Sequence, residues 1–391
     1  MTNNPKNRKL RILVLGYIVR GPMGGMTWHH LHYFLGLYQM GHDVFFLEDS
    51  GDTEYSCYDP SRNTTDQNPS YGLEYANQVF KKIGLENKWG YYDHHQNQWH
   101  GPLAETALKI IKEADLLLNL SCSNTLRPWL YDVPIRVLID TDPAFTQIRN
   151  LADTERLNFS KQHTAFFTFG ENFKQEGCLI PDDGIGWKPT RQPIVLDAWP
   201  VASVKEQAPF TTVMKWESYP GKNYNGRYYG MKAECFEDYM DLPKKTNSKM
   251  ELAVSDSATP KQRLVENGWQ LTSPQSISSD PWKYQEYIQQ SKAEFSIAKH
   301  GYVAGKTGWF SERSACYLAS GRPVVLQDTG FSDWLKTDFG LIAFNDANEA
   351  LFAIEEINNN YARHCRNARE LAEAYFSSEK VLTELIEKSI Q

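Results

Sequence analysis

Three cations, a run of glycines and a helix start lie within fifteen residues of one another in the segment from Lys299 to Phe331, KHGYVAGKTGWFSERSACYLASGRPVVLQDTGF. Gly301, Gly305 and Gly308 permit backbone conformations and close approaches that larger residues hinder. Ser311 stands at the N-cap position of a helix expected from about Glu312 to Ala319. The free N–H groups and positive dipole end of such a helix favour an anion, with Lys299, Lys306 and Arg313 as cationic partners. Two further groups suit proton transfer. His29 follows the glycine pair Gly24-Gly25 at the start of the first long helix, and an imidazole accepts a proton near neutral pH. Asp142 leaves a strand in Asp140-Thr141-Asp142-Pro143, where a carboxylate borders a ligand crevice, although Asp before Pro is also a common turn.

These residues need αβ units to hold them. Gly321 ends the Glu312–Ala319 helix, Pro323 follows, and Val324-Val325-Leu326 reads as a parallel strand buried on both faces. The run Ala319-Ser320-Gly321-Arg322-Pro323-Val324-Val325, with the glycine loop before it, resembles the donor-binding core of GT-B-fold glycosyltransferases. That resemblance implies two Rossmann-like α/β domains, each doubly wound, facing a cleft, with terminal helices crossing back to the first. It implies a nucleotide-diphosphate sugar as donor, no resident metal ion or other cofactor, and a small-molecule or glycan acceptor. It also assigns the donor to the segment as a whole, including His300, Tyr302, and the exit loop Asp328, Thr329 and Gly330. Lys215, at the exit of the strand Thr211–Met214, takes the place of a basic residue toward the donor. One position departs: where many such enzymes carry a glutamate for the ribose, this chain has Cys316. Glu312 lies one turn away on the same helical face and is the expected substitute.

The amino-terminal half has a matching layout. Ile12 to Ile18 reads as a buried strand, followed by Arg20-Gly21-Pro22-Met23-Gly24-Gly25, a helix from about Met26 to Met40, and a second strand, Val44 to Leu47. A Gly-Gly pair, a histidine within the helix and Gly41-His42-Asp43-Val44 are similar to the opening motif of the same family, so Gly24 and Gly25 join the expected donor contacts. The loop lacks GxGxxG spacing, which sets a nicotinamide enzyme aside even with Glu48 at the end of the second strand.

At 391 residues with 41% hydrophobic content, two domains are expected, over residues 1–195 and 196–370, with residues 371–391 returning to the first. A net charge of -7 argues against a general nucleic-acid binder. Six cysteines without a CxxC pair fit reduced thiols in a cytoplasmic protein. No segment approaches a membrane span, and the first ten residues read as loose. Residues 49–100 read as loop with one helix, Tyr75 to Ile83, forming either an acceptor lid or a decorated edge. His94, His95 and His100 lack metal-ligand spacing. The expected activity is sugar transfer to an acceptor hydroxyl. An epimerase or sugar phosphorylase of the same fold, or a non-catalytic nucleotide-sugar binder, are the alternatives.

Overall fold

The computed structural model describes residues 9–254 and 256–390. Part of the segment expected to be loose, residues 1–8, lies outside them. Among the described residues the chain forms eighteen strands: β1 (Arg11–Leu15), β2 (Asp43–Asp49), β3 (Cys57–Asp59), β4 (Thr64–Asp66), β5 (Trp89–Asp93), β6 (Gln98–His100), β7 (Leu116–Leu120), β8 (Ile135–Asp140), β9 (Ala165–Thr168), β10 (Lys188–Pro189), β11 (Phe210–Val213), β12 (Lys222–Tyr224), β13 (Arg227–Tyr229), β14 (Met250–Ala253), β15 (Gln270–Thr272), β16 (Ala293–Ser296), β17 (Val324–Gln327) and β18 (Leu341–Phe344). One sheet runs β10-β9-β8-β7-β1-β2-β5-β6 and a second β15-β14-β11-β16-β17-β18, while β3–β4 and β12–β13 are separate hairpins. Every neighbouring pair in the two large sheets is parallel except β5 with β6.

Parallel strands covered on both faces read as unbroken apolar runs. Along β1, Ile12 and Val14 enter one core cluster and Leu13 and Leu15 another. Along β17, Val324 and Leu326 face one cluster and Val325 the other. Each sheet reverses its strand order once, at β1/β7 in the first and β11/β16 in the second. Ligands of open α/β sheets bind beyond the carboxyl ends of the strands at such points. Strand exits of the two sheets approach each other: Asp142, after β8 next to the first reversal, is ion-paired with Lys299, after β16.

The last helix, Ser378–Ile390, returns to the first lobe and packs on the helix Gly24–Gln39. A Cβ at Gly36 would stand 2.6 Å from the Leu382 side chain, so that glycine is what lets the two helices meet. The chain passing from the first lobe to the second near Ile194 runs beside the returning segment, with Ile194 N–H donating to Phe376 O and Ser378 N–H to Ile194 O.

Three local expectations change. The glycine loop after β16 begins as a short helix, His300–Ala304. Residues 49–100 contain more order than a loop with one helix. The helix spans Ser70–Lys82, and β5 and β6 extend the first sheet because Trp89–Asp93 is apolar enough to be buried along its whole length. Ser311 sits at the N-cap position with no side-chain cap, whereas Asp280, not singled out from sequence, accepts from Trp282 and Lys283 N–H at the start of the helix Pro281–Gln290.

Candidate active site between the lobes

The imidazole of His29 is buried in the helix Gly24–Gln39, against Tyr33, His30 and Phe169. Its Nε2 lies 3.3 Å from Ser121 Oγ, and that hydroxyl receives the Thr141 hydroxyl at 2.9 Å. Ser121 and Cys122 leave β7 at φ 57° and 52°, the left-handed region that side chains other than glycine disfavour. Burial lowers the His29 pKa to about 4, so the ring is neutral at pH 7 with a lone pair available but weakly basic.

Asp142 is not a free carboxylate. Lys299 Nζ and Tyr302 OH bind Oδ1 at 2.9 and 2.6 Å, while Tyr219 OH and Arg149 bind Oδ2. Burial pushes the acid's pKa up, but Lys299 and the two phenols outweigh it and leave the pKa below the ordinary value. Lys299, Tyr302 and Tyr219 all come from the second lobe, so Asp142 fastens the lobes and its oxygens are filled.

The glycines expected to cradle a ligand serve contacts between the lobes. A Cβ at Gly24 would meet Asp280 O and Tyr284 Cβ at 2.8 Å, and one at Gly25 the Tyr284 ring at 3.1 Å. At Gly301 it would strike the Phe145 ring at 2.5 Å, and at Gly308 and Gly330 the Asn172 side chain at 2.7 Å. The Asn172 amide donates to Lys306 O, Gly330 O and Asp333. Thus a side chain of the first lobe fills the loop. The first N–H groups of the His300–Ala304 helix are also taken, by Met231 O and Gly230 O. Asp328 caps its own turn through Gly330 N and Ser332, and the Thr329 hydroxyl binds Trp309 O.

Arg313 is pinned as well. Its guanidinium reaches Glu294 at 2.6 Å, Val213 O at 2.7 Å and Ser296 Oγ at 2.7 Å, which commits the fork to the β11 and β16 exits rather than to a free phosphate. Lys306 and Lys215 are exposed, and His300 accepts from Gly230 N–H. The cation that sequence reading missed is Lys232. Its ammonium has neither a hydrogen bond nor an ion pair with another described residue, and burial, then Arg313, lower its pKa well below the usual lysine range. Glu294 opposes the shift, with Oε1 held by Arg313 and Oε2 buried without a partner. No sequence signal marked Lys232, because it lies far from the glycine loop in the chain and reaches the same pocket only through the fold.

Glu312 lies on the face of Cys316, as expected, with Cys316 Sγ donating to Oε1 at 3.3 Å. Both face His32 of the first lobe, whose Nε2 is 3.6 Å from Cys316 Sγ and 3.8 Å from Glu312. These three side chains have the right proximity for a metal ion, but their chemistry does not fit. Val195 N–H donates to His32 Nδ1, so the neutral ring carries its proton on Nε2, the nitrogen that faces the group. Burial raises the Glu312 pKa to about 7 and holds the Cys316 thiol protonated. Glu48 is likewise spent: its carboxylate accepts Ile18, Val19 and Arg20 N–H at 2.6–2.8 Å, closing the first loop instead of waiting for a ribose.

No protein-family model and no curated protein matches the chain. Solved structures match along nearly its whole length. An alpha-glucosyltransferase in complex with UDP and a 13-mer DNA containing a HMU base has a TM-score of 0.61 at 12% identity, covering 98% of this chain and 100% of that one. Anabaena HepE in complex with UDP and glucose gives 0.55 at 10%, over 97% and 98%. Sucrose-phosphate synthase from Thermosynechococcus elongatus gives 0.53 at 11%, also over 97% and 98%. The DNA in the first removes net charge as a reason for setting nucleic acid aside. Among the described residues no helix is long and apolar enough to cross a membrane. With two doubly wound lobes joined at their strand exits and a last helix crossing back, this chain has the GT-B fold of those glycosyltransferases.

Proposed function

We propose that the protein transfers a sugar from a nucleotide diphosphate donor to an acceptor hydroxyl, without a metal ion. The observation that carries this reading is Lys232, a half-buried ammonium with no hydrogen bond or ion pair among the described residues, beside Arg313 at the strand reversal of the second sheet. A cation whose pKa is lowered first by desolvation and then by a neighbouring guanidinium gains from negative charge brought beside it. A diphosphate supplies it, and Lys232 then stabilises the diphosphate as it departs, while Arg313 and Lys299 stay paired with Glu294 and Asp142. The fold supports the donor class, since UDP is bound in several of the similar structures. In this reading residues 1–195 hold the acceptor, 196–370 the donor, and 371–391 return to the first lobe. Across the cleft, His29 accepts the proton of the acceptor hydroxyl, and the unpartnered N–H groups opening the Glu312–Ala319 helix face the donor. Glu312 takes the ribose.

Calorimetry with UDP, GDP, ADP and TDP in EDTA tests the reading. At least one nucleotide should bind, and Lys232→Ala should weaken it about tenfold or more, as loss of a charged hydrogen bond does. Silence from all four nucleotides would remove the proposal.

A further inference from the structure

The amino end of β16, opposite the strand exits where Arg313 and Lys232 sit, borders an open groove of about 550 Å³. Its walls come largely from the two segments that join the lobes. Glu206 and Gln207 belong to the chain passing into the second lobe, and Tyr361, Arg363 and Arg366 to the helix Tyr361–Leu371, which continues into the returning segment. Lys292, just before β16, and the end of the helix Ala347–Asn359 supply the rest.

Charge in this groove is one-sided. Arg366 is exposed and has neither a hydrogen bond nor an ion pair with another described residue. Arg363 lays its guanidinium over the Phe339 ring at 3.4 Å, and the Lys292 ammonium lies 5.2 Å from the Tyr361 ring centre and donates to Asn358 Oδ1. Neither is ion-paired with a described carboxylate. Arg322, fully buried, donates to Gln289 O and Ser203 O, while its remaining terminal nitrogen has no partner, and its charge reaches Tyr361 and Cys365. The first N–H groups of the Tyr361–Leu371 helix, those of Tyr361 and Ala362, bond to no other described residue and add the positive end of its dipole. Against these cations the lining sets one carboxylate, the exposed Glu206, in a chain whose net charge is -7.

We infer that this groove binds the phosphate of a small phosphate ester, at a site separate from the nucleotide. Guanidinium groups and an ammonium around one opening suit the oxygens of a dianion. A volume of about 550 Å³ leaves room for an organic body beside the phosphate. The side-chain amides of Gln207 and Asn359, which bond to no other described residue, offer donors and acceptors for its hydroxyls. Glu206 opposes the anion, so its removal should help. The Tyr361–Leu371 helix packs on the Glu312–Ala319 helix, and Arg369 donates to Ala319 O and Trp199 O. A phosphate held here therefore bears on the connection between the lobes from outside the cleft. The inference stands whether or not the protein is a glycosyltransferase.

Phosphorus NMR titration of the full chain with inorganic phosphate, glycerol 3-phosphate and ribose 5-phosphate tests it, with glycerol and ribose followed by saturation transfer as neutral controls. At least one ester should bind, more tightly than inorganic phosphate and without binding of its neutral parent. Its affinity should fall about fivefold or more in Arg366→Gln and in Arg363→Gln. It should rise in Glu206→Gln and stay within about twofold in Lys232→Ala, a change at the other end of the sheet. The substituted groove residues are exposed, and unchanged far-ultraviolet spectra should confirm that the variants fold. The inference is overturned if no ester binds, if inorganic phosphate binds as tightly as the esters, if both arginine variants keep full affinity, or if Glu206→Gln weakens binding. Loss of ester binding in Lys232→Ala would place the phosphate in the nucleotide site and overturn it equally.

Discussion

Single side chains set the chemistry in this cleft through burial more than through type. Lys232 loses its charge more readily than an exposed lysine because desolvation and the nearby Arg313 disfavour it, so an incoming diphosphate should restore it. Nucleotide binding should therefore take up a proton at pH values between the free and bound pKa of this lysine. Calorimetry in buffers of different ionisation enthalpy reads this directly, and Lys232→Ala should abolish the uptake. His29 is set the other way, neutral and weakly basic in its pocket. If it receives the acceptor proton, His29→Ala should lower turnover by ~10²–10⁴ while nucleotide affinity stays within about threefold, since a different lobe holds the donor. Normal turnover in that variant would pass the role to another group. Asp142 is poorly placed to be that group, because Lys299, Tyr302, Tyr219 and Arg149 already fill its two oxygens.

Between elements, the glycines show how one residue type answers two demands. Gly24 was expected to make room for a ligand, and it makes room for the helix Pro281–Gln290 instead. Trp28 Nε1 donates to Pro281 O at 2.7 Å in the same contact. Gly24→Ala should then cost about 1–3 kcal/mol of stability by forcing backbone apart, measured by urea unfolding. A neutral result would show that the two helices separate freely. Gly308 and Gly330 enclose Asn172 in the same manner, and their positive φ values, 70° and 89°, add a reason for glycine that packing alone does not supply.

At the scale of the whole molecule, the lobes are fastened at two contacts by ionisable groups. Removing the Asp142 carboxylate by Asp142→Asn leaves the part-buried Lys299 without its counter-ion, a loss of about 1–3 kcal/mol, below that of a fully buried pair. It should also widen the particle, read as a larger radius of gyration in small-angle scattering. The His32, Glu312 and Cys316 contact gives a second, pH-dependent fastening. The Glu312 pKa is raised from 4.5 to about 7 on folding, so the folded chain binds the extra proton. Its contribution is full below pH 4.5 and is lost as pH rises through about 7, at no more than about 1.4 kcal/mol per pH unit. Glu312→Gln keeps the neutral amide at every pH, so the unfolding curves of the two proteins should separate between pH 5 and 8, the parent losing stability that the variant keeps. A difference that does not grow with pH would reverse the assignment.

The sequence alone determined the two-sheet α/β layout and the returning helix, because buried parallel strands leave contiguous apolar runs and glycine and proline punctuate them at each turn. It also placed Lys299, Arg313, Glu312 and His29 at strand exits and helix starts where the lobes meet. Only the tertiary structure decided which of them are free. Whether Arg313 faces a ligand or Glu294, whether Gly308 encloses a phosphate or Asn172, and whether Asp142 is a base or a clasp depend on residues more than a hundred positions away in several cases. Lys232 was invisible for the same reason. Local propensity and spacing record what a residue's chain neighbours require of it, whereas charge pairing and enclosure are fixed by groups that meet only once both sheets have formed.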